Sequence, residues 1–116
     1  MVRLNDSIRE RSLEAVRVLT RLGRVRAAYV FGSQAEGTAD EWSDLDIAAF
    51  MDDVEGWDMR QRGQAMVTVQ KRVGWDVELH LFPASASRNP PKASFAEYVL
   101  RHGARLDIEG LDAETE

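Results

Sequence analysis

Apolar side chains recur at Ile8, Ala15, Leu19 and Leu22, and Leu13 and Val16 widen the stripe, a spacing that predicts an amphipathic helix over 7–22. Ser7 with Glu10 reads as a capping-box start, and Gly23 as a stop. The run VRAAYVF, 25–31, is short, β-branched and bounded by glycines, as a buried strand is. GSQAEGTADEWS has the small polar residues of a loop with a helical turn. DLDIAAF then alternates, with Asp44, Asp46 and Ala48 on one face and Leu45, Ile47 and Ala49 on the other. After the acidic turn MDDVEG, Met59, Met66 and Val73 recur every seven residues and predict a second helix over 57–73 that Gly74 ends. WDVELHLF, 75–82, alternates most clearly: Trp75, Val77, Leu79 and Leu81 face one way, and Asp76, Glu78 and His80 the other. PASASRNPPKA is a loop by composition. Ser94 with Glu97 opens a last helix to about His102, GARLDIEG holds at most a short strand, and 109–116 reads as a flexible tail.

The order helix, strand, strand, helix, strand, helix, short strand predicts an α/β (α+β) fold, a small mixed sheet flanked by helices. With 116 residues, the expectation is a single domain over 1–116, so a second substrate-binding lobe has to come from another chain. No stretch reaches the ~20 apolar residues of a membrane span, and Arg3 and Asp6 stand where a signal peptide needs an apolar core, which gives a cytoplasmic expectation. The absence of cysteine excludes disulfides, thiolate metal sites and cysteine nucleophiles. A net charge of −5 argues against generic nucleic-acid binding but leaves room for a nucleotide carried in with divalent cations.

Asp44 and Asp46 leave the same face of a predicted strand, with backbones roughly 7 Å apart, so their oxygens can converge on a hard cation. Asp76 and Glu78 share the polar face of another strand. If that strand lies beside the first, three or four carboxylates gather in one patch, and their mutual repulsion calls for a cation. Gly32 allows a positive φ and close backbone approach, and Ser33 adds a hydroxyl and an N–H, a turn suited to phosphate. The Lys-Ser/Thr ending of a Walker loop is absent. Phosphate turn, Asp pair and a further carboxylate are the parts of a two-metal phosphoryl-transfer site.

GSQAEGTADEWSDLD has the form Gly-Ser, ten residues, Asp-x-Asp. It resembles the signature of the DNA polymerase β-like nucleotidyltransferase superfamily. The chain length, the helix before the first strand and the ending YVLRHGARLD make it similar in particular to the minimal nucleotidyltransferase (MNT) domains, over about 7–107. The resemblance implies that Gly32 and Ser33 form the nucleotide-phosphate turn and that Asp44 and Asp46 bind metal. The third family carboxylate falls on 75–82, where Glu78 is favoured as metal ligand and Asp76 is the close alternative. Ser43 and Gly37 match common family positions, Ser43 on the nucleotide. The activity implied by the resemblance is Mg²⁺-dependent transfer of a nucleoside monophosphate, AMP from ATP or the equivalent from another NTP, to a hydroxyl acceptor. For MNT proteins it also implies an antitoxin role toward a partner such as a HEPN-domain toxin, sometimes by adenylylating it; a homodimer is the other way to complete the cleft. One departure stands out: many members carry a basic residue after Gly-Ser, and this chain has Gln34 and then Glu36. The alternative is therefore an MNT-fold module that neutralises or scaffolds a partner without catalysis.

Three further features read first as structural. His80 shares a face with Glu78; a ligand or proton-shuttle role is the alternative, and a surface or strand-neighbour role is the expected one, with His102 on a separate helix. Trp42, just before Asp44, could stack on a base, and packing of the loop on the sheet is the expected role. Arg60, Arg62, Lys71 and Arg72 read as the solvated face of a helix.

Overall fold

The computed structural model describes residues 4–111; residues 112–116, most of the predicted tail, lie outside the described part. Helix α1 spans Asp6–Thr20 and is capped by Asn5, whose side chain accepts from the Ile8 N–H, slightly earlier than the expected start at Ser7. It ends before Leu22, which is exposed rather than part of the buried stripe. Strand β1, Val25–Phe31, runs into the four-residue helix α2, Ser33–Glu36, and the chain returns as β2, Leu45–Met51. Helix α3, Met59–Val73, opens with a capping box formed by Asp58 and Gln61. Strand β3 is Val77–Pro83, helix α4 is Phe95–His102 behind the Ser94 cap, and β4 is the short Ala104–Arg105.

These strands form one sheet in the order β3-β2-β1-β4. β1 is antiparallel to β2 and β4, whereas β2 and β3 are parallel, joined by α3 as the crossover that parallel strands need. Two registers matter for chemistry. Asp46 lies opposite Phe31 of β1 on one side and opposite Glu78 of β3 on the other.

The sheet is covered on both faces. On one, α1 and α3 pack Leu19, Val16 and Val69 against Leu45, Ile47, Ala49 and Val77. On the other, Ala48 and Phe50 meet Ala86 from the 83–93 connection, together with Ala96 and Val99 of α4. β2 is therefore a two-sided buried strand past Asp46, not the in/out alternation its first residues predict. Two other expectations are corrected. Trp75 is 69% exposed, because the chain is still turning and β3 starts only at Val77. The buried face of α3 is Ala65 and Val69, while Met59 is 85% exposed. The sequence loop 83–93 also contains a 3-10 turn, Ala84–Ser87, that supplies Ala86 to the second core. Among the described residues no helix is long and apolar enough to cross a membrane.

Candidate active site

The parallel pairing of β2 with β3 sets the site. Side chains on a strand alternate, so Asp46 shares its face with Ala48 and Phe50, and across the ladder Glu78 stands level with it. His80, two residues beyond Glu78, falls on the same face. Ligand atoms of Asp46, Glu78 and His80 all lie within 4.8 Å of one another. His80 Nε2 is 3.5 Å from Asp46 Oδ1, and this nitrogen is buried with no hydrogen-bond partner. Burial pushes the Asp46 carboxyl above its ordinary range; the neighbouring imidazole pulls it back, and the charge of Asp44 adds to the rise.

Gly32 closes one side. Its φ of 75° is in the region that favours glycine, and a Cβ there would stand 2.6 Å from Asp46 Oδ2. The turn is thus laid directly on the carboxylate. Ser33 begins α2, Gly37 at φ 81° ends it, and the Ala35 and Glu36 amides bond back to the Gly32 carbonyl. Carboxylates, imidazole and the Gly-Ser turn are therefore neighbours, although they come from three separate strands and their ends.

The remaining expected residues fall differently. Asp44 precedes β2, is exposed, and stays outside the three-residue cluster. Asp76 does not share a face with Glu78 at all. It sits in the turn before β3, where both Arg11 guanidinium nitrogens donate to it, Nη1 to Oδ2 at 3.0 Å, and this holds its carboxyl below the usual range. Ser43 is taken up by its own loop: its Oγ accepts from the Asp40 N–H at 2.9 Å and donates to Asp40 Oδ1. Trp42, expected to pack on the sheet, is instead 84% exposed. Of the basic helix cluster, Arg62 is not on a free face; its guanidinium donates to the Val54 carbonyl at 2.8 Å.

His80, expected as a strand neighbour with a ligand role as the alternative, joins the cluster, and its aromatic surroundings were not foreseen from the sequence. The imidazole is edge-on to Phe31 and Phe95, with ring centres 5.0 and 5.4 Å away. The signal was available in its position, since i and i+2 on a strand share a face. Phe95 had no such signal, because α4 meets the strand only through the tertiary fold.

The donor set fits a divalent cation. Two atoms each about 2.1 Å from one ion lie at most about 4.2 Å apart, so the 3.5 Å between imidazole and carboxylate suits a shared ion, as does an imidazole nitrogen left without a hydrogen bond. The two carboxylates suit Mg²⁺ or Mn²⁺, whereas an imidazole nitrogen is a ligand for softer divalent ions such as Zn²⁺. Open clefts lie elsewhere among the described residues, two of them larger than the hollow along α4 at Tyr98 and His102. One, among Arg24, Arg26, Arg105 and Asp107, is at the opposite end of β1, and the other runs along the outer side of α3.

Comparison with known proteins gives the family. A model described as Polymerase beta, Nucleotidyltransferase matches residues 14–104, which includes the Gly-Ser turn, both strands of the cluster and α4. No curated protein matches the chain in sequence. Among solved structures, the chain resembles a candidate nucleotidyltransferase from Sulfolobus solfataricus at 20% identity and a TM-score of 0.47, over 72% of this chain and 80% of that one.

Proposed function

Because the chain belongs to the polymerase beta nucleotidyltransferase family, we propose that it transfers a nucleoside monophosphate, AMP from ATP, to a hydroxyl acceptor with Mg²⁺. The observation that carries this reading is the register that sets Glu78 beside Asp46, with Gly32 packed on the same carboxylate. In the transfer the acceptor oxygen bonds to the α-phosphorus, the bond to the bridging oxygen breaks, and pyrophosphate leaves with that electron pair. The acceptor's proton is lost to water. Bound Mg²⁺ supplies positive charge for the phosphates and lowers the pKa of the attacking hydroxyl. The chain's own residues would do the rest: Asp46 and Glu78 would hold the cation, with His80 beside them, and the Gly32-Ser33 backbone would orient the phosphates. Asp44, whose charge is felt by Asp46, would be the residue to hold a second cation.

The finer reading is an MNT domain whose acceptor is a hydroxyl on a partner protein such as a HEPN-domain toxin, or one completed by a second copy of the chain. The open setting of the cluster supports it, since Glu78 is exposed and Asp46 only half-buried. Incubation with α-labelled ATP and Mg²⁺, with and without the neighbouring gene product, tests it. Label transfer that disappears in both Asp44→Ala and Asp46→Ala is the expected result, and transfer indifferent to them sinks the catalytic reading. One observation favours the non-catalytic alternative: Asp44 stands outside the cluster, and Gln34 follows the Gly-Ser turn where a cation is common. On that reading the double substitution leaves partner neutralisation intact.

A further inference from the structure

The aromatic surface beside the carboxylates has no role in the chemistry described so far. Phe95 and Tyr98, on successive turns of α4, are 47% and 41% exposed. Their rings are nearly parallel, 20° between planes and 6.3 Å between centres. Exposed large aromatics on a small acidic protein are costly to solubility unless something covers them.

Their position says what covers them. Phe95 lies 5.4 Å from both Phe31 and His80. Phe31 is the residue before Gly32 and faces Asp46 across the ladder, so the rings start where the phosphates and cation of the proposed site end. The surface then leads outward through Tyr98 to His102, whose ring is 4.8 Å from that of Tyr98. A nucleotide held by its phosphates at one end projects its base outward in the same direction, and a flat π-face is matched by stacking on aromatic side chains.

Glu36 supplies the polar element. The acid that looks misplaced near a triphosphate accepts from the Tyr98 hydroxyl at 3.3 Å, which draws it to the ring surface and leaves its other oxygen open. A carboxylate there accepts from an amino group on a base edge, as acidic side chains do from exocyclic amines in grooves.

We propose that Phe95 and Tyr98 form the stacking surface for the donor's nucleobase, with Glu36 accepting from its exocyclic amine, so that the site selects amino-bearing bases such as adenine. This rests on the nucleotide reading of the carboxylate cluster. The test separates the two. Calorimetric titration in Mg²⁺ compares ATP, inorganic tripolyphosphate and purine riboside triphosphate, which lacks the amine.

ATP binds tighter than tripolyphosphate, and Phe95→Leu and Tyr98→Leu each weaken ATP about ten-fold while leaving tripolyphosphate unchanged. Tyr98→Phe keeps the stack and retains ATP affinity within about three-fold. Glu36→Gln narrows the preference for ATP over the riboside analogue. Thermal melts of the variants check that each is folded. Equal affinity for ATP and tripolyphosphate, or ATP binding indifferent to both ring variants, overturns the stacking surface while the nucleotide reading stands. Failure of every triphosphate to bind overturns both.

Discussion

The two faces of the sheet treat charge in opposite ways. On the face covered by α1 and α3, charged groups at the margin are matched: Arg11 holds Asp76, and Arg17 and Arg72 reach Glu14 at 2.7 and 2.9 Å. On the other face, Asp46 and Glu78 stand side by side with an imidazole that has no hydrogen bond, and no Lys or Arg is paired with them among the described residues. Asp76 and Glu78 are only two residues apart in sequence. One is paired within the protein, and the other stands exposed beside Asp46 and His80 without a basic partner among the described residues.

Substitutions on the two faces should therefore separate stability from function. The largest stability loss comes from the helical face: Ile47→Ala, fully buried between α-helices and sheet, should cost about 3 kcal/mol in urea denaturation. Gly32→Ala comes next, at about 2 kcal/mol, since it combines a positive φ with a Cβ pressed on Asp46. Unlike Ile47→Ala, it should also remove nucleotide binding in the variant that remains folded.

Asp76→Asn should cost about 1 kcal/mol at neutral pH, discounted because both partners are near one-third exposed. Here the sign is set by the pairing. Arg11 lowers the folded carboxyl below its unfolded value, so the contribution is complete above the ordinary aspartate range and is lost as the pH falls through the folded value. Urea midpoints of wild type and Asp76→Asn should thus converge in acid. Asp46→Asn should have the smallest effect on stability, unchanged or raised within about 0.5 kcal/mol, because burial already disfavours its charge. Its effect should appear instead in ligand binding.

The existence of the helices and the three long strands was legible in the sequence from their caps and apolar runs, though not which face of α3 or β2 is buried, and the Gly-Ser to Asp-x-Asp spacing pointed to the turn and to Asp46 of the candidate cluster, while Asp44 stands outside it. What was not legible depends on contacts between distant segments. Asp76 and Glu78 look equivalent in WDVELH; the difference comes from Arg11, 65 residues away, and from a turn in which the Val77 N–H bonds the Gly74 carbonyl, so the strand begins after Asp76. The two-sided burial of β2 depends on Ala86, which a loop-like composition concealed, and on the packing of α4, a helix whose place against the sheet only the tertiary fold sets. Met59, with the right spacing for a buried stripe, sits at the first turn of α3 beyond the edge of the sheet's cover and is left in solvent.

If the unpaired face holds a divalent cation through Asp46, Glu78 and His80 while Asp76 belongs to the scaffold, the two neighbouring acids must differ in metal binding. Titration of Mn²⁺ into wild type and into the Glu78→Gln and Asp76→Asn variants, followed by electron paramagnetic resonance, reads that difference. Glu78→Gln should weaken binding at least ten-fold, the loss that even an outer-shell partner of a metal site typically costs, and Asp76→Asn should bind as wild type does. Loss of binding in Asp76→Asn with retention in Glu78→Gln would reverse the assignment of the two faces.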